Sequence, residues 1–345
     1  MSHSRHLWLV LVAVSAALVV IVWSGAWRRP GPGMEPLIVY CAHDAVYAEA
    51  VLRQFEKQTG TQVEIRYDTE ATKSLGLVNL LLQEREHPRC DVFWNNELLG
   101  MLNLQGAGVL EPYRGEGWER IPAKYRDPEG YWAGFAARLR VWIVNTDLFP
   151  NATEESLEAL WASDPGAIAV AKPLYGTTLT QYSLLWQTWG PETLKAWHAD
   201  VRQRGVREVN GNGLVKDMVA AGTCRAGWTD TDDTFSALED GKPVRMLPLR
   251  VGGKTIVIPN TVGIIKGTQR LADAEKLVDY LLSVQTEVAL AESTAHQIPL
   301  GPVPKELVPT AVKELLPWVA DGHDLRDVLK SRDACLDWLK SEYVP

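Results

Sequence analysis

The sequence predicts an α/β fold of two lobes around a cleft, and three observations carry that expectation. Short apolar runs alternate with amphipathic helical patterns between residues 37 and 94. The same alternation begins again near residue 167. Two extended stretches, at 133–145 and 255–259, stand where a chain passing between two such sets would cross over and return. At 345 residues the chain is long enough for two domains of ordinary size.

Each element has its own warrant. Leu37–Cys41 is a continuous apolar run and reads as a buried strand. Ala48, Val51, Leu52 and Phe55 recur at helical spacing, and Gly60 closes that helix. Residues 63–67 alternate as a strand does, and Thr69 or Thr72 then caps a helix whose stripe is Leu75, Val78, Leu81 and Leu82. A third strand follows at 91–94. Short joints between these units imply parallel strands with crossover helices. The second set comprises a strand at 167–171, helices at 178–189, 191–204 and 212–221, and strands at 225–228 and 255–259. From Leu271 the pattern is helical nearly to the end, broken around 297–302.

The amino terminus reads differently. Arg5 precedes a run from Leu7 to Trp23 that is apolar but for Ser15, followed by Ser24, Gly25 and Ala26. Residues 1–27 are therefore a cleaved signal peptide or a membrane anchor, and either exports the rest of the chain. Residues 28–36, with alternating Pro and Gly, form a linker. A net charge of −8 provides no basic footprint for nucleic acid. Of the four cysteines, Cys41 ends one strand and Cys90 begins another, which puts the thiols at opposite ends of parallel neighbours and disfavours a bridge between them; Cys224 with Cys335 stays open.

The polar knot Trp228, Thr229, Asp230, Thr231, Asp232 and Asp233 is the candidate ligand floor, because a strand ending there and feeding a helix aims polar groups into one cleft. The competing explanation is a strongly capped helix start. Asp230, Asp232 and Asp233 would suit a hard cation through oxygen, or an ammonium group. Thr69, Thr72 and Lys73, and separately Tyr175, Gly176, Thr177 and Thr178, open helices in a manner that suits anions, or are ordinary caps. Arg138 and Arg140 face one side of an extended stretch, fitting a structural salt bridge better than an anion contact. No GxSxG, HExxH or histidine beside the carboxylates supplies catalytic machinery.

Five segments in order, LIVYCAHD, CDVFWNNE, GFAARLRVWIVNTDLF, IVIPNTVGIIKGT and DAEKLVDYLLS, resemble the solute-binding proteins of bacterial ABC importers, specifically the ferric-iron-binding group of the type II periplasmic fold. The resemblance implies a venus-flytrap of two lobes, 37–135 with 259–300 and 136–258, two crossover stretches, and a helical carboxyl-terminal segment at 301–345. It implies an exported carrier, periplasmic or extracytoplasmic, rather than an enzyme, without catalytic cofactor, monomeric, delivering ferric iron with a synergistic anion, or another metal–anion pair, to membrane permease subunits. The family's tyrosine pair falls on Thr231 and Asp232, its glutamate on Asn96 beside Glu97, and its histidine near His43 and Asp44; Asn210 and Asn212 fall in an anion-binding region. The missing tyrosines leave a second ligand class, an aminoalkylphosphonate or similar small phosphorylated solute. A membrane-anchored sensory domain and an exported enzyme using Asp230-x-Asp232 to hold metal are the readings from other classes.

Overall fold

The computed structural model describes residues 35–68 and 75–343. The leader at 1–27, the linker up to residue 34, and Thr69 and Thr72 lie outside the described residues. The first α/β set is β1 (Leu37–Cys41), α1 (Ala45–Thr59), β2 (Val63–Tyr67), α2 (Leu75–Gln83) and β3 (Val92–Asn95). α1 buries Ala48, Val51, Leu52 and Phe55, the residues its periodicity selects, and ends where Gly60 takes a left-handed φ of 75°. β1 lies between β2 and β3 with all three parallel.

α3 (Leu99–Gly106), β4 (Leu110–Glu111) and α4 (Glu116–Arg120) lead to β5 (Ala133–Asn145), whose thirteen residues are all buried. α5 (Glu154–Ser163) follows, with Thr153 and Ser156 forming a reciprocal cap. The second set is β6 (Ile168–Ala171), α6 (Gly176–Trp189), α7 (Pro191–Gln203), β7 (Arg207–Val209), α8 (Asn212–Ala220), β8 (Ala226–Asp230) and α9 (Thr231–Glu239). β9 (Val244–Pro248), the short pair β10 (Arg250–Val251) and β11 (Lys254–Thr255), and β12 (Val257–Ile265) bring the chain back.

The strands run in the order β2-β1-β3-β12-β5-β8-β6-β7, with β4 beside β12 and β9 beside β5. β5 changes neighbours along its length. Its first half pairs antiparallel with β12, and its second half with β8 and β9. Within the first half Ala136 holds a φ of 41°, opposite the bulge of β12 between Ile258 and Asn260. The strand expected at 255–259 thus continues to Ile265: Pro259 sits at the bulge, one of the few sheet positions where a missing N–H is tolerated.

The tail departs further from expectation. α10 (Leu271–Leu281) and α11 (Val284–Glu292) are as anticipated, but only α12 (Thr310–Lys313) and α13 (Leu316–Ala320) precede α14 (Leu329–Tyr343). Pro302, Pro304, Pro309 and Pro317 interrupt what reads as helical spacing. The break at 297–302 is fastened by the fully buried Glu287. Its carboxylate accepts the N–H groups of Ala136, Leu300 and Gly301 and pairs with Arg120. All four cysteines are free and buried, and Cys224 and Cys335 lie in different core clusters. Among the described residues, no helix is long and apolar enough to cross a membrane.

Candidate functional site

The carboxyl ends of β1, β3, β6, β7 and β8 open onto one cavity of about 670 Å³. Open α/β sheets place ligands there because the strand-to-helix turns converge and the helices that follow present free N–H groups. β1 contributes His43 and Asp44, and β3 contributes Asn96. From β6 come Lys172 and Tyr175 to Thr178, from β7 Asn210 to Gly213, and from β8 Asp230, Asp232 and Asp233. Helices α6, α8 and α9 all start at this cavity, and none is capped by the side chain of its N-cap residue. Gly227 makes the close packing possible: a Cβ there would meet Val215 Cγ1 at 2.5 Å and Ala169 O at 2.8 Å. α8 therefore lies tight on β8, bringing Asn212 to Asp230.

Asp230 is the centre of a buried network. Arg140 Nη1 donates to its Oδ1 at 2.9 Å, and Arg138 Nε donates to Oδ2 at 3.2 Å. Thr177 Oγ1 and Asn212 Nδ2 also donate to Oδ2, at 2.8 and 3.2 Å. Arg138 further donates to the Asn96 carbonyl across the cavity, and Arg140 to Gln181 Oε1. Asp230 occupies an N-cap position, yet its side chain makes no capping bond; the two arginines have claimed it. Burial alone would raise its pKa, but Arg140 and Arg138 outweigh burial and hold the carboxyl below its usual range. Both arginines come from a strand buried throughout, so a counter-charge was required.

Asp232 and Asp233 behave in the opposite way. Burial, with Asp233, Asp230 and Asp44 nearby, pushes Asp232 up to about 7 against the pull of Arg138. Its side chain keeps 20 % of its surface open. Asp233 is pushed up to about 6 by burial and by Asp230. Thr229 Oγ1 donates to Asp233 Oδ2 at 2.6 Å, and the Asp233 N–H donates to Asp232 Oδ1. One oxygen from each of Asp230, Asp232 and Asp233 lies within 4.8 Å of the others. Both Asp230 oxygens already accept hydrogen bonds, so of these three acids Asp232 and Asp233 are the ones placed to meet a ligand, in a cavity that Asp44 also lines.

The cavity brings together His43, Asn96, Tyr175, Gly176, Thr177, Asn212, Asp230, Asp232 and Asp233. His43 is buried between Tyr47 and Trp94, its ring 3.1 Å from Gln297 Nε2. Two expected contacts are corrected. Glu97 is buried and accepts the N–H groups of Leu99 and Gly100, which fastens the start of α3. Thr231 is fully buried and accepts the Leu139 N–H, tying β8 to β5. Neither lines the cavity. Arg138 and Lys172, absent from the expected ligand set, do line it. Two charges in an otherwise apolar stretch were the signal for Arg138; Lys172 had none.

The architecture is the two-lobed type II periplasmic binding fold, and its polar cavity at the strand ends defines a solute binder. The chain belongs to the family of bacterial extracellular solute-binding proteins, whose pattern matches residues 50–317. It is 23% identical over 265 residues to iron uptake protein A1 of Synechocystis sp. (strain ATCC 27184 / PCC 6803 / Kazusa), covering 73% of this chain and 72% of that one. Among solved structures it resembles Trichodesmium IdiA (FutA) in complex with iron and citrate ligands, with a TM-score of 0.71 and 20% identity over 89% of this chain and 99% of that one. The periplasmic binding protein AfuA from Actinobacillus pleuropneumoniae, with fructose-6-phosphate bound, has a TM-score of 0.70 and 18% identity, over 89% and 98%.

Proposed function

We propose that this chain is the extracytoplasmic solute-binding component of an ABC importer, and that it takes ferric iron as a complex with a small oxyanion. One observation carries this reading: two open carboxylates, Asp232 and Asp233, face a wall made of uncapped helix starts, Lys172 and Arg138. Ferric iron is a hard cation that takes oxygen ligands. Asp232 and Asp233, with Asp44 on the same wall, leave part of its coordination to a companion anion, and the helix starts are suited to hold that anion. The iron-and-citrate complex of IdiA and the name of iron uptake protein A1 support this cargo.

In this reading the leader carries the chain out of the cytoplasm, the protein acts as a monomeric carrier rather than a catalyst, and membrane permease subunits receive the cargo. The lobes are 37–135 with 259–300 and 136–258, hinged where β5 changes neighbours, with 301–345 as a carboxyl-terminal segment. A second reading, a small phosphorylated or phosphonate solute, draws on the same helix starts and on the sugar phosphate bound by AfuA.

A thermal-shift series decides between them, since a ligand that binds only the folded state raises the midpoint. Ferric citrate and ferric phosphate are expected to stabilise the protein, and Asp232→Ala to lose that effect. Stabilisation by 2-aminoethylphosphonate or a sugar phosphate, with none by iron, would replace the first reading with the second. No shift with any of them would remove both.

A further inference from the structure

Among the described side chains that line the polar cavity, His43 has the one imidazole, and no thiol joins it. Imidazole draws zinc, copper and nickel into protein sites, so its availability bears on which cations the cavity accepts. A ring nitrogen holds a metal only through a lone pair that carries no proton and serves no other bond.

One buried chain of hydrogen bonds places the His43 proton. It begins at Trp94, whose indole Nε1–H donates and cannot accept. That N–H lies 3.4 Å from Asn260 Oδ1, so the Asn260 amide turns its Nδ2 the other way. Nδ2 then donates to the Ala136 carbonyl and, at 2.8 Å, to Gln297 Oε1. A flipped Asn260 would set its oxygen against a carbonyl and its NH2 against the indole N–H. With Oε1 of Gln297 an acceptor, its Nε2 is the donor toward His43 Nε2, 3.1 Å away. His43 Nε2 therefore accepts, and the ring proton is on Nδ1. Trp94, Asn260 and Gln297 are 0% exposed and His43 4%, which leaves water little access to loosen the chain. The ring is also held in place between Tyr47 at 5.7 Å and Trp94 at 5.5 Å.

We propose that this relay bars His43 from the cargo metal. Nε2 has its lone pair committed to Gln297, and Nδ1 carries the proton, so neither nitrogen is open to a cation. The metal is then held by oxygen alone, from the cavity acids and from its companion anion. Such a site selects hard cations such as ferric iron over zinc or copper, which lose the partner they prefer. The selectivity rests on the ferric–oxyanion reading above; the tautomer does not.

Long-range proton–nitrogen NMR on protein carrying isotope-labelled histidine tests both, with His43→Gln identifying the ring by its missing signals. The free protein is expected to show His43 with a bare Nε2 and a protonated Nδ1. Gallium(III) citrate, a diamagnetic stand-in for the ferric complex, should bind by calorimetry and leave both nitrogens in that state. Gln297→Met, which removes the donor but little volume, should bring the Nε2-protonated form to a detectable share. A protonated Nε2 in the unmodified protein would overturn the proposal. So would loss of the Nδ1 proton on gallium binding, or a His43 spectrum that Gln297→Met leaves unchanged. If gallium citrate does not bind while the free protein shows the expected ring, the ferric reading falls with its selectivity and the tautomer stands.

Discussion

The ionisation of Asp232 distinguishes a metal complex from a metal-free anion. Folded, this carboxyl titrates at about 7, against about 3.9 in an unfolded chain. A cation bound through Asp232 needs the ionised form, which is about nine-tenths populated at pH 8 and one-tenth at pH 6. Affinity should therefore fall about tenfold over that interval. If Asp233, pushed up to about 6 by burial and by Asp230, must also be ionised, the fall is steeper. For a phosphonate or phosphate ester the sign reverses: a neutral Asp232 repels the anion less and offers it a donor, so binding tightens as the pH drops. Titration calorimetry at pH 6, 7 and 8, run in parallel on the unmodified protein and Asp232→Asn, separates this residue from the ligand's own titration. The difference between the two slopes is the quantity to read. Equal slopes in both proteins would refute the reasoning, because the carboxyl would then be uncoupled from binding. Stability carries the same signature. Between about pH 4 and pH 7 the folded state keeps a proton that the unfolded state has lost. Stability from this group therefore declines as pH rises through that window, and Asp232→Asn should melt above the unmodified protein at pH 8.

Replacing Asp230 has the opposite effect. Asp230→Asn leaves Arg140 buried without its counter-charge and Arg138 with only Asp232, 3.8 Å away, and should lower unfolding stability by about 3–5 kcal/mol at pH 7, read by urea titration; a loss below about 1 kcal/mol would mean the arginines find other partners. Its folded pKa is depressed, so this contribution is complete above the unfolded pKa and disappears as pH falls through the folded one. Glu287→Gln removes the charge that meets Arg120 and weakens the anchor of 297–302, with an expected loss of about 3–5 kcal/mol by the same titration; an unchanged midpoint would contradict that role. The four cysteines are free and buried, so a thiol reagent should modify none quickly in the native protein and all four after denaturation. Mass spectrometry showing a disulfide in the native protein would refute that arrangement.

The fold was legible wherever local pattern and burial coincide. α1 buries the residues its spacing picks out, and all thirteen residues of β5 are buried in a stretch marked by β-branched and aromatic side chains. Legibility failed where a proline obeys a tertiary exception, as at the bulge beside Pro259, and where prolines break a tail with good helical spacing. α5 went unread although its stripe, Leu157, Leu160 and Trp161, has helical spacing and Thr153 with Ser156 caps it; ten residues carry only three apolar marks. The free cysteines show a related limit: strand ends disfavoured one bridge, but only the packing separated Cys224 from Cys335.

Within the site, sequence located the turns but not the roles of their side chains. Asp230, Thr231, Asp232 and Asp233 are consecutive acids and hydroxyls at one strand end, yet three physical situations divide them. Asp230 is a counter-ion because β5 supplies two arginines from 90 residues away in sequence. Thr231 points back to the Leu139 N–H. Asp232 and Asp233 face the cavity with their protons held near neutral pH. Charge that is locked and charge that is free to titrate thus stand side by side. The locked Asp230 positions the arginines, Thr177 and Asn212 before any ligand arrives. The titratable pair can lose protons to a cation or keep them for an anion. A cavity arranged in this way favours a ligand that carries both signs, and a ferric–oxyanion complex meets that requirement more fully than a bare metal ion or a simple anion.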